Sequence, residues 1–309
     1  MAMDAHELRA RTAWGLMAEP ADVLAWHLHH ELGAREALDR VLHPTALRGL
    51  QDRLSARTEQ WRALPQKLSE YRARYSPARV RLALETQAVH EISAISPDHP
   101  WWPQGLADLG HRGPTTLWVK GSLHQAMAAQ AVAIVGSSTP SRAGRQAALA
   151  VSDVALERGL ALVGGGTRGI ATDVHRRAVN RGGISVAVMA GGLENTYPPD
   201  NASLFARLLQ RGALVSEAPC TVEPTMSRFL ARNRLVAALG AGVVIVQAEY
   251  RSGAISVGYH AASIGRHVGV VPGSWHDTLS AGCWRIYREC GAIVLTDPAE
   301  LSLVTPQVA

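Results

Sequence analysis

The residues most able to do chemistry lie between Gly164 and Gly183, in "GGGTRGIATDVHRRAVNRGG". Gly164, Gly166 and Gly169 give a G-x-G-x-x-G spacing directly after the apolar run "LALV". Glycines there let a backbone approach an anion closely, and the helix that follows offers unpaired N–H groups and a positive dipole end. Arg168, His175, Arg176, Arg177 and Arg181 add basic or imidazole groups. Two chemistries fit: a cradle for a dinucleotide pyrophosphate, or a cradle for the phosphates of a longer polymer.

The dinucleotide reading requires an acid about 20 residues on, at the end of the next strand, to hold a ribose. That strand, "ISVAVMAGG", contains none, and the glycines follow the second strand of the unit instead of the first. NAD and FAD are therefore not expected, and no other cofactor is indicated. The polymer reading draws on arginines spread over several turns. Arg142 and Arg145 follow one strand, Arg168 the next, Arg228, Arg232 and Arg234 sit in "SRFLARNR", and Arg251 follows "VVIVQAE". Several guanidinium groups beside helix N-termini suit successive phosphates, although any one of these arginines could equally be a surface residue or a partner for Glu217 or Glu249. Catalytic constellations are absent: no G-x-S-x-G elbow, no carboxylate pair at a telling spacing, no Cys–His pair in context. His27, His29, His30 and His43 do not suggest a metal, since i and i+2 on a helix point apart and no H-E-x-x-H spacing occurs. His175, one turn beyond the glycines, is expected to support or bind rather than to move protons.

The elements that position these groups read as two parts with a link. Residues 1–78 give a helical module with helices expected over 4–18, 20–33, 34–42 and 47–64, from apolar residues at helical spacing punctuated by Gly and Pro. Residues 79–130 form a bridging segment with strands expected around Val89–Ile95 and Thr116–Val119, and with Trp101 and Trp102 packing at a domain boundary. Residues 131–309 alternate Val/Ile/Ala-rich strands with amphipathic helices, the pattern of a parallel sheet covered on both faces. The fold class is α/β: a doubly wound, Rossmann-like sheet whose ligands would sit at the strand carboxyl ends.

Composition agrees with a soluble two-part protein of 309 residues, 47% hydrophobic, with a net charge of +5. The excess of positive charge is compatible with an anionic partner. Lys67 and Lys120 are the only lysines, an arginine bias that base composition accounts for. Three cysteines without C-x-x-C spacing argue against a disulfide framework or structural zinc. With no apolar signal core and no span of membrane length, a cytoplasmic location and no membrane partner are expected.

Taken in order, the loops resemble the DprA/Smf family of DNA-processing proteins. That family carries G-S-R-x-x-T-x-Y-G, S-G-x-A-R-G-I-D-x-x-A-H-R, G-x-G-x-x-x-x-Y-P-x-x-N, S-E-x-P and F-x-x-R-N-R-I-I-A. This chain reads "GSSTPSRAG", "GGGTRGIATDVHR", "GGLENTYPPDN", "SEAP" and "FLARNRLVAAL", followed by "VIVQAEYRSGA", "VVPG" and "SAGC". Upstream, "WWPQGL" and "GPTTLWVKGS" match the family's entry to the core, so the resemblance spans about residues 79–297. Three positions depart: Ser138 stands for the Arg and Ala143 for the Tyr of the first motif, and Ala171 for the Asp of R-G-I-D. The resemblance implies a protein without enzymatic activity that binds single-stranded DNA as a homodimer and loads the recombinase RecA during natural transformation. It implies a small helical N-terminal (SAM-like) domain, here without the C-terminal winged helix of many relatives. The nucleic-acid-binding residues expected are Gly136, Ser137, Arg142, Gly164, Gly165, Gly166, Arg168, Gly169, His175, Arg232, Asn233, Arg234, Ser252 and Gly253. No base discrimination is expected, because no helix is placed to read a major groove. The alternative is a nucleotide-binding or phosphoribohydrolase-like enzyme of the same Rossmann superfamily, although "GGGTRGIA" lacks the Glu of P-G-G-x-G-T-x-x-E. A third reading is a nucleotide-sensing or scaffolding module.

Overall fold

The computed structural model describes residues 3–43, 64–122 and 130–305. Among the described residues, four helices belong to the N-terminal module: α1 (Ala5–Met17), α2 (Val23–Leu42), α3 (Leu64–Arg74) and α4 (Pro77–Val89). Asp4 and Asp22 cap α1 and α2 by accepting from the first free N–H groups. α2 is broken at Gly33 (φ 76°), the point where the sequence separates two helices. The expected helix over 47–64 lies outside the described residues except for Leu64. Trp14, Met17, Leu28, Val41, Leu64, Leu68 and Tyr71 make a separate apolar core for the module.

Two expectations for the bridging segment need correcting. The boundary at residue 78 falls inside α4, and the strand expected from Val89 begins only at Ser93. Ser76 caps α4, Pro77 starts it, and Val80, Ala83 and Gln87 bury one face, so the apolar run "RVRLALETQAV" packs as a helix. The strands β1 (Ser93–Ile95) and β2 (Leu117–Gly121) then join the main sheet antiparallel. Trp102 is buried in the sheet's core and Trp101 is exposed.

The remaining strands alternate with helices as expected: β3 (Ala131–Val135), α5 (Arg142–Glu157), β4 (Ala161–Gly165), α6 (Ile170–Asn180), β5 (Ser185–Met189), α7 (Ala202–Leu208) and β6 (Ala213–Ser216). Then come α8 (Met226–Leu239), β7 (Gly242–Ile245), α9 (Gly253–Ser263), β8 (His267–Val270), α10 (Ala281–Cys290) and β9 (Ile293–Val294). They form one nine-stranded sheet in the order β1-β2-β6-β5-β4-β3-β7-β8-β9, parallel from β6 to β9. The chain leaves β3 toward β4 on one side and returns to β7 on the other, so the β3/β7 pair is the topological switch point. Apolar side chains cover both faces, which is why the strands read as unbroken apolar runs.

Candidate nucleic-acid interface

The switch point, where a doubly wound sheet usually opens a crevice, is closed. Ser137 N–H donates to the Gln247 carbonyl at 2.6 Å. The Gln247 side chain accepts from Ser141 N–H and donates to Ser141 Oγ, both at 2.9 Å. A Cβ on Gly144 would lie 2.3 Å from Gln247 Oε1, and one on Gly136 would lie 2.8 Å from the Gln247 carbonyl. Gln247 is 4% exposed, so this amide seals β7 to the start of α5. Gly136 and Ser137 therefore build the seal. Sequence reasoning did not single out Gln247; its polar side chain at the end of an apolar strand was the available signal.

The next turn along the edge, after β4, is built differently. Gly164 lies over His175, and Gly165 lies against Arg232, whose Nη1 would stand 1.7 Å from a Cβ there. Gly169 has φ 76° and packs on the Ser137 carbonyl, which a Cβ would meet at 2.3 Å, so only glycine satisfies both demands. Gly166 touches Met189 and the Tyr197 carbonyl. The turn is braced from below: Thr172 Oγ1 donates to the Thr167 carbonyl at 2.9 Å, and Asn201 Nδ2 donates to Thr172 Oγ1 at 2.7 Å. Asp200 accepts from Arg168 at 2.6 Å, with both side chains largely exposed. Asp200 and Asn201 belong to "YPPDN" and hold the turn although Ala171 replaces the resembling family's Asp. Asp173 instead takes Arg145 at 2.6 Å and Arg176 at 3.5 Å.

His175 is fully buried beneath this turn. The Gly165 carbonyl, 3.1 Å from Nε2, can only accept, which makes Nε2 the donor and leaves Nδ1 to accept from Ser185 Oγ at 2.8 Å. Burial pushes its pKa down to about 4, so the ring is neutral near pH 7. His175 was expected among ligand-contacting residues; the structure makes it a strut for the glycine turn.

Arg232 and Arg234, two residues apart on α8, have opposite circumstances. Arg234 is 1% exposed and satisfied throughout: Nη2 meets both Glu217 oxygens at 2.7 Å, Nε donates to Arg112 O and Nη1 to Ala231 O. Arg232 is 7% exposed, its Nε has no hydrogen-bond partner, and no carboxylate lies within ion-pair distance among the described residues. Desolvation alone pushes its pKa down to about 10, which still leaves it charged at neutral pH. The guanidinium lies 5.8 Å from the Phe229 ring. It shares a small cavity with Met189, Ala190, Ser216, Arg228 and Glu217, whose carboxylate is taken by Arg234. A neighbouring slot is lined by Gly166, Met189, Asn195, Tyr197 and Phe229, with the Tyr197 and Phe229 rings 5.6 Å apart.

The other expected contacts divide the same way. Arg142 is exposed at the first turn of α5 with no ion pair among the described residues. Asn233 is buried and donates to Gly253 O at 3.1 Å, tying α8 to α9. Ser252 caps α9 by accepting from Ala254 N–H. Arg234, Asn233 and Ser252, expected as ligand groups, are thus engaged by the protein itself. Of the remaining groups, Arg142 and Arg168 are exposed and Thr167 and Gly169 half-buried, while Gly164, Gly165, Gly166 and Arg232 are buried, Arg232 with no ion pair among the described residues.

The sequence model of DNA recombination-mediator protein A matches residues 93–304, from β1 to the end of the sheet. The chain belongs to the DNA recombination-mediator protein A family. Protein Smf of Escherichia coli is 36% identical over 219 residues, 71% of this chain and 57% of that protein. A relative in Mycobacterium tuberculosis is 37% identical over 211 residues, 65% of this chain and 54% of that protein. The chain thus spans about half the length of these curated relatives. The crystal structure of DNA processing protein A from Streptococcus pneumoniae has a TM-score of 0.74 at 26% identity and covers 98% of both chains, so the helical module is part of the shared architecture. The Helicobacter pylori protein, solved for its own single-stranded DNA binding mode, shares the fold with a TM-score of 0.62 at 24% identity, over 68% of this chain and 94% of that one. Within the recombination-mediator family fold, then, this chain seals the switch point and leaves one buried cation open beside the glycine turn.

Proposed function

We propose that this chain binds single-stranded DNA along the carboxyl edge of its sheet, with the Gly164–Gly169 turn and Arg232 receiving phosphate. The observation that carries this reading is Arg232: a buried guanidinium with no carboxylate in ion-pair distance among the described residues costs several kcal/mol and is relieved by an anionic ligand. Charge-assisted bonds from guanidinium and backbone N–H groups suit a phosphate better than any neutral ligand. Beside it, the Tyr197 and Phe229 rings offer a face on which a base stacks irrespective of sequence. Gln247 fills the position a dinucleotide would need, which weighs against a nucleotide cofactor.

The further role is handing the bound strand to RecA during natural transformation, as a cytoplasmic homodimer and without catalysing a reaction. Membership of a recombination-mediator family supports a role in handing on the strand, and the single-stranded DNA binding mode of the Helicobacter pylori relative supports only the binding step.

Fluorescence anisotropy with a labelled oligo-dT strand tests the site. Wild type binds the single strand in preference to duplex, with log K falling by about 0.7 per phosphate contact for each unit of log salt. Arg232→Met weakens binding about ten- to a hundred-fold, whereas Arg168→Ala, whose charge is exposed and shared with Asp200, weakens it about two- to five-fold. Absence of binding at low salt, or equal losses in the two variants, overturns the assignment.

A further inference from the structure

Arg228 lies one helical turn before Arg232, so the two side chains share a face of α8. Arg228 Nη1 donates to the Glu223 carbonyl at 2.9 Å and Nη2 to the Glu19 carboxylate at 3.1 Å, a carboxylate that Arg74 of the helical module also meets at 3.6 Å and so retains when Arg228 is released. Glu19 belongs to the helical module, in the short turn between α1 and α2. Pro20, in that turn, lines the same cavity as Arg228, Arg232 and Met189. Ala21 has φ 62°, a left-handed conformation that an L-residue adopts at a cost. The turn is thus bent to bring a carboxylate and a proline onto the cavity that holds the uncompensated arginine.

Glu19 is not what docks the module. Arg11 donates from the module to the Thr115 carbonyl and to Thr116 Oγ1, at 2.5 and 3.3 Å. Gly15 packs against Pro219 and Trp118 so closely that a Cβ would stand 2.7 and 2.8 Å from them. The Glu19 side chain is 49% exposed, and Arg228 stays oriented by Glu223 O whether or not the carboxylate is present. A half-exposed carboxylate on an oriented guanidinium is cheap to exchange for a phosphate oxygen.

We infer that Arg228 is a second phosphate subsite, occupied in the free protein by the Glu19 carboxylate, so that the α1–α2 turn is an anionic plug which a bound strand displaces. The inference rests on the reading of the Arg232 cavity as a strand-binding site. The helical module then regulates the core by occupying one anion position in the absence of DNA. Its exposed Glu19 sets how much of the binding energy goes into clearing that position.

The test is a double-mutant cycle with Glu19→Gln and Arg228→Gln in the full chain, read by oligo-dT anisotropy across a salt series, with melting transitions confirming that all four proteins fold alike. Glu19→Gln tightens binding about two- to five-fold at low salt and leaves the salt slope as in wild type, because the displaced plug leaves the same phosphate contacts in both complexes. In the Arg228→Gln background the same change does not move affinity. Glu19→Ser, which is too short to reach Arg228, gives the same result by a route free of any bond the glutamine keeps. If wild type binds and Arg232→Met loses binding, but Glu19→Gln acts equally in both backgrounds or not at all, the plug is overturned and strand binding stands. If only the Glu19 variants bind, the plug is supported. If neither wild type nor the Glu19 variants bind, both readings fall.

Discussion

Two neighbouring stretches of the sheet's carboxyl edge meet the same demand in opposite ways. At β3/β7 the Ser137 N–H meets the Gln247 backbone carbonyl and the Gln247 side chain meets Ser141, which closes the crevice. At β4/β5 the glycine turn is braced from beneath by His175, Thr172 and Asn201, while its upper neighbour Arg232 is left without an anion. The fold's usual ligand position is closed, and in the proposed reading binding has moved one strand along. A cost in stability marks where it moved: a chain seldom keeps a buried unpaired charge unless a ligand completes it.

The sharpest way to break this comparison contrasts the two arginines of α8. Arg234→Met leaves the Glu217 carboxylate without its fork and the Arg112 carbonyl without its donor, so urea denaturation should show a loss of about 3–5 kcal/mol. Arg232→Met removes a buried charge with no ion pair among the described residues, so stability holds or rises while strand binding is lost. If Arg232→Met destabilises as much as Arg234→Met, Arg232 has a protein partner in solution and the open site does not exist.

That contrast also shows how far the sequence could be read. The alternation of strands and helices from β3 to β8, the glycine turn and its arginines were legible, because apolar periodicity and turn residues are local signals; α10 and β9 were not named. The roles of Arg232 and Arg234 were not. They lie on one helix in one motif, and what separates them is Glu217 and Arg112, which the fold brings in from β6 and from before β2. Gln247 escaped notice for the same reason, since its partner Ser141 lies more than a hundred positions away. The helix over Pro77–Val89 was not expected, and only its last residue, Val89, lay in the strand expected around Val89–Ile95, which begins at Ser93. Asp200 and Asn201, by contrast, stood in a motif already quoted, and the structure explains how they brace the turn despite Ala171.

A smaller effect sharpens the closed side. Gln247→Ala leaves Ser141 N–H buried without a partner and opens a void beside Gly144, which should cost about 1–3 kcal/mol. Oligo-dT affinity should stay within about two-fold, a shift of less than half a kcal/mol. A loss of affinity as large as that of Arg232→Met would mean that the seal, and not the glycine turn, meets the strand.

The smallest effect concerns the brace itself. His175 has its pKa lowered to about 4 by burial, and His29 in the helical module is lowered to about 3 for the same reason. A histidine depressed in the folded state stays neutral there while the unfolded chain takes up its proton near pH 6.5. Its stabilisation is therefore complete above that pH and is lost as pH falls toward the folded value. Between about pH 7 and about pH 5.5 each such histidine removes about 1 kcal/mol of stability, with the loss deepening on further acidification. His175→Gln keeps a side-chain donor for the Gly165 carbonyl but cannot titrate, so its stability should fall less steeply over that window than wild type. His29→Gln should flatten the same curve by a similar amount, although it lies far from the glycine turn in sequence and in a different core. The two differ in what else changes. Only His175→Gln alters the support of Gly165, against which Arg232 rests, so only it should also shift strand affinity. Equal effects of both variants on strand affinity would show that His175 contributes burial alone and that the glycine turn holds its shape without it.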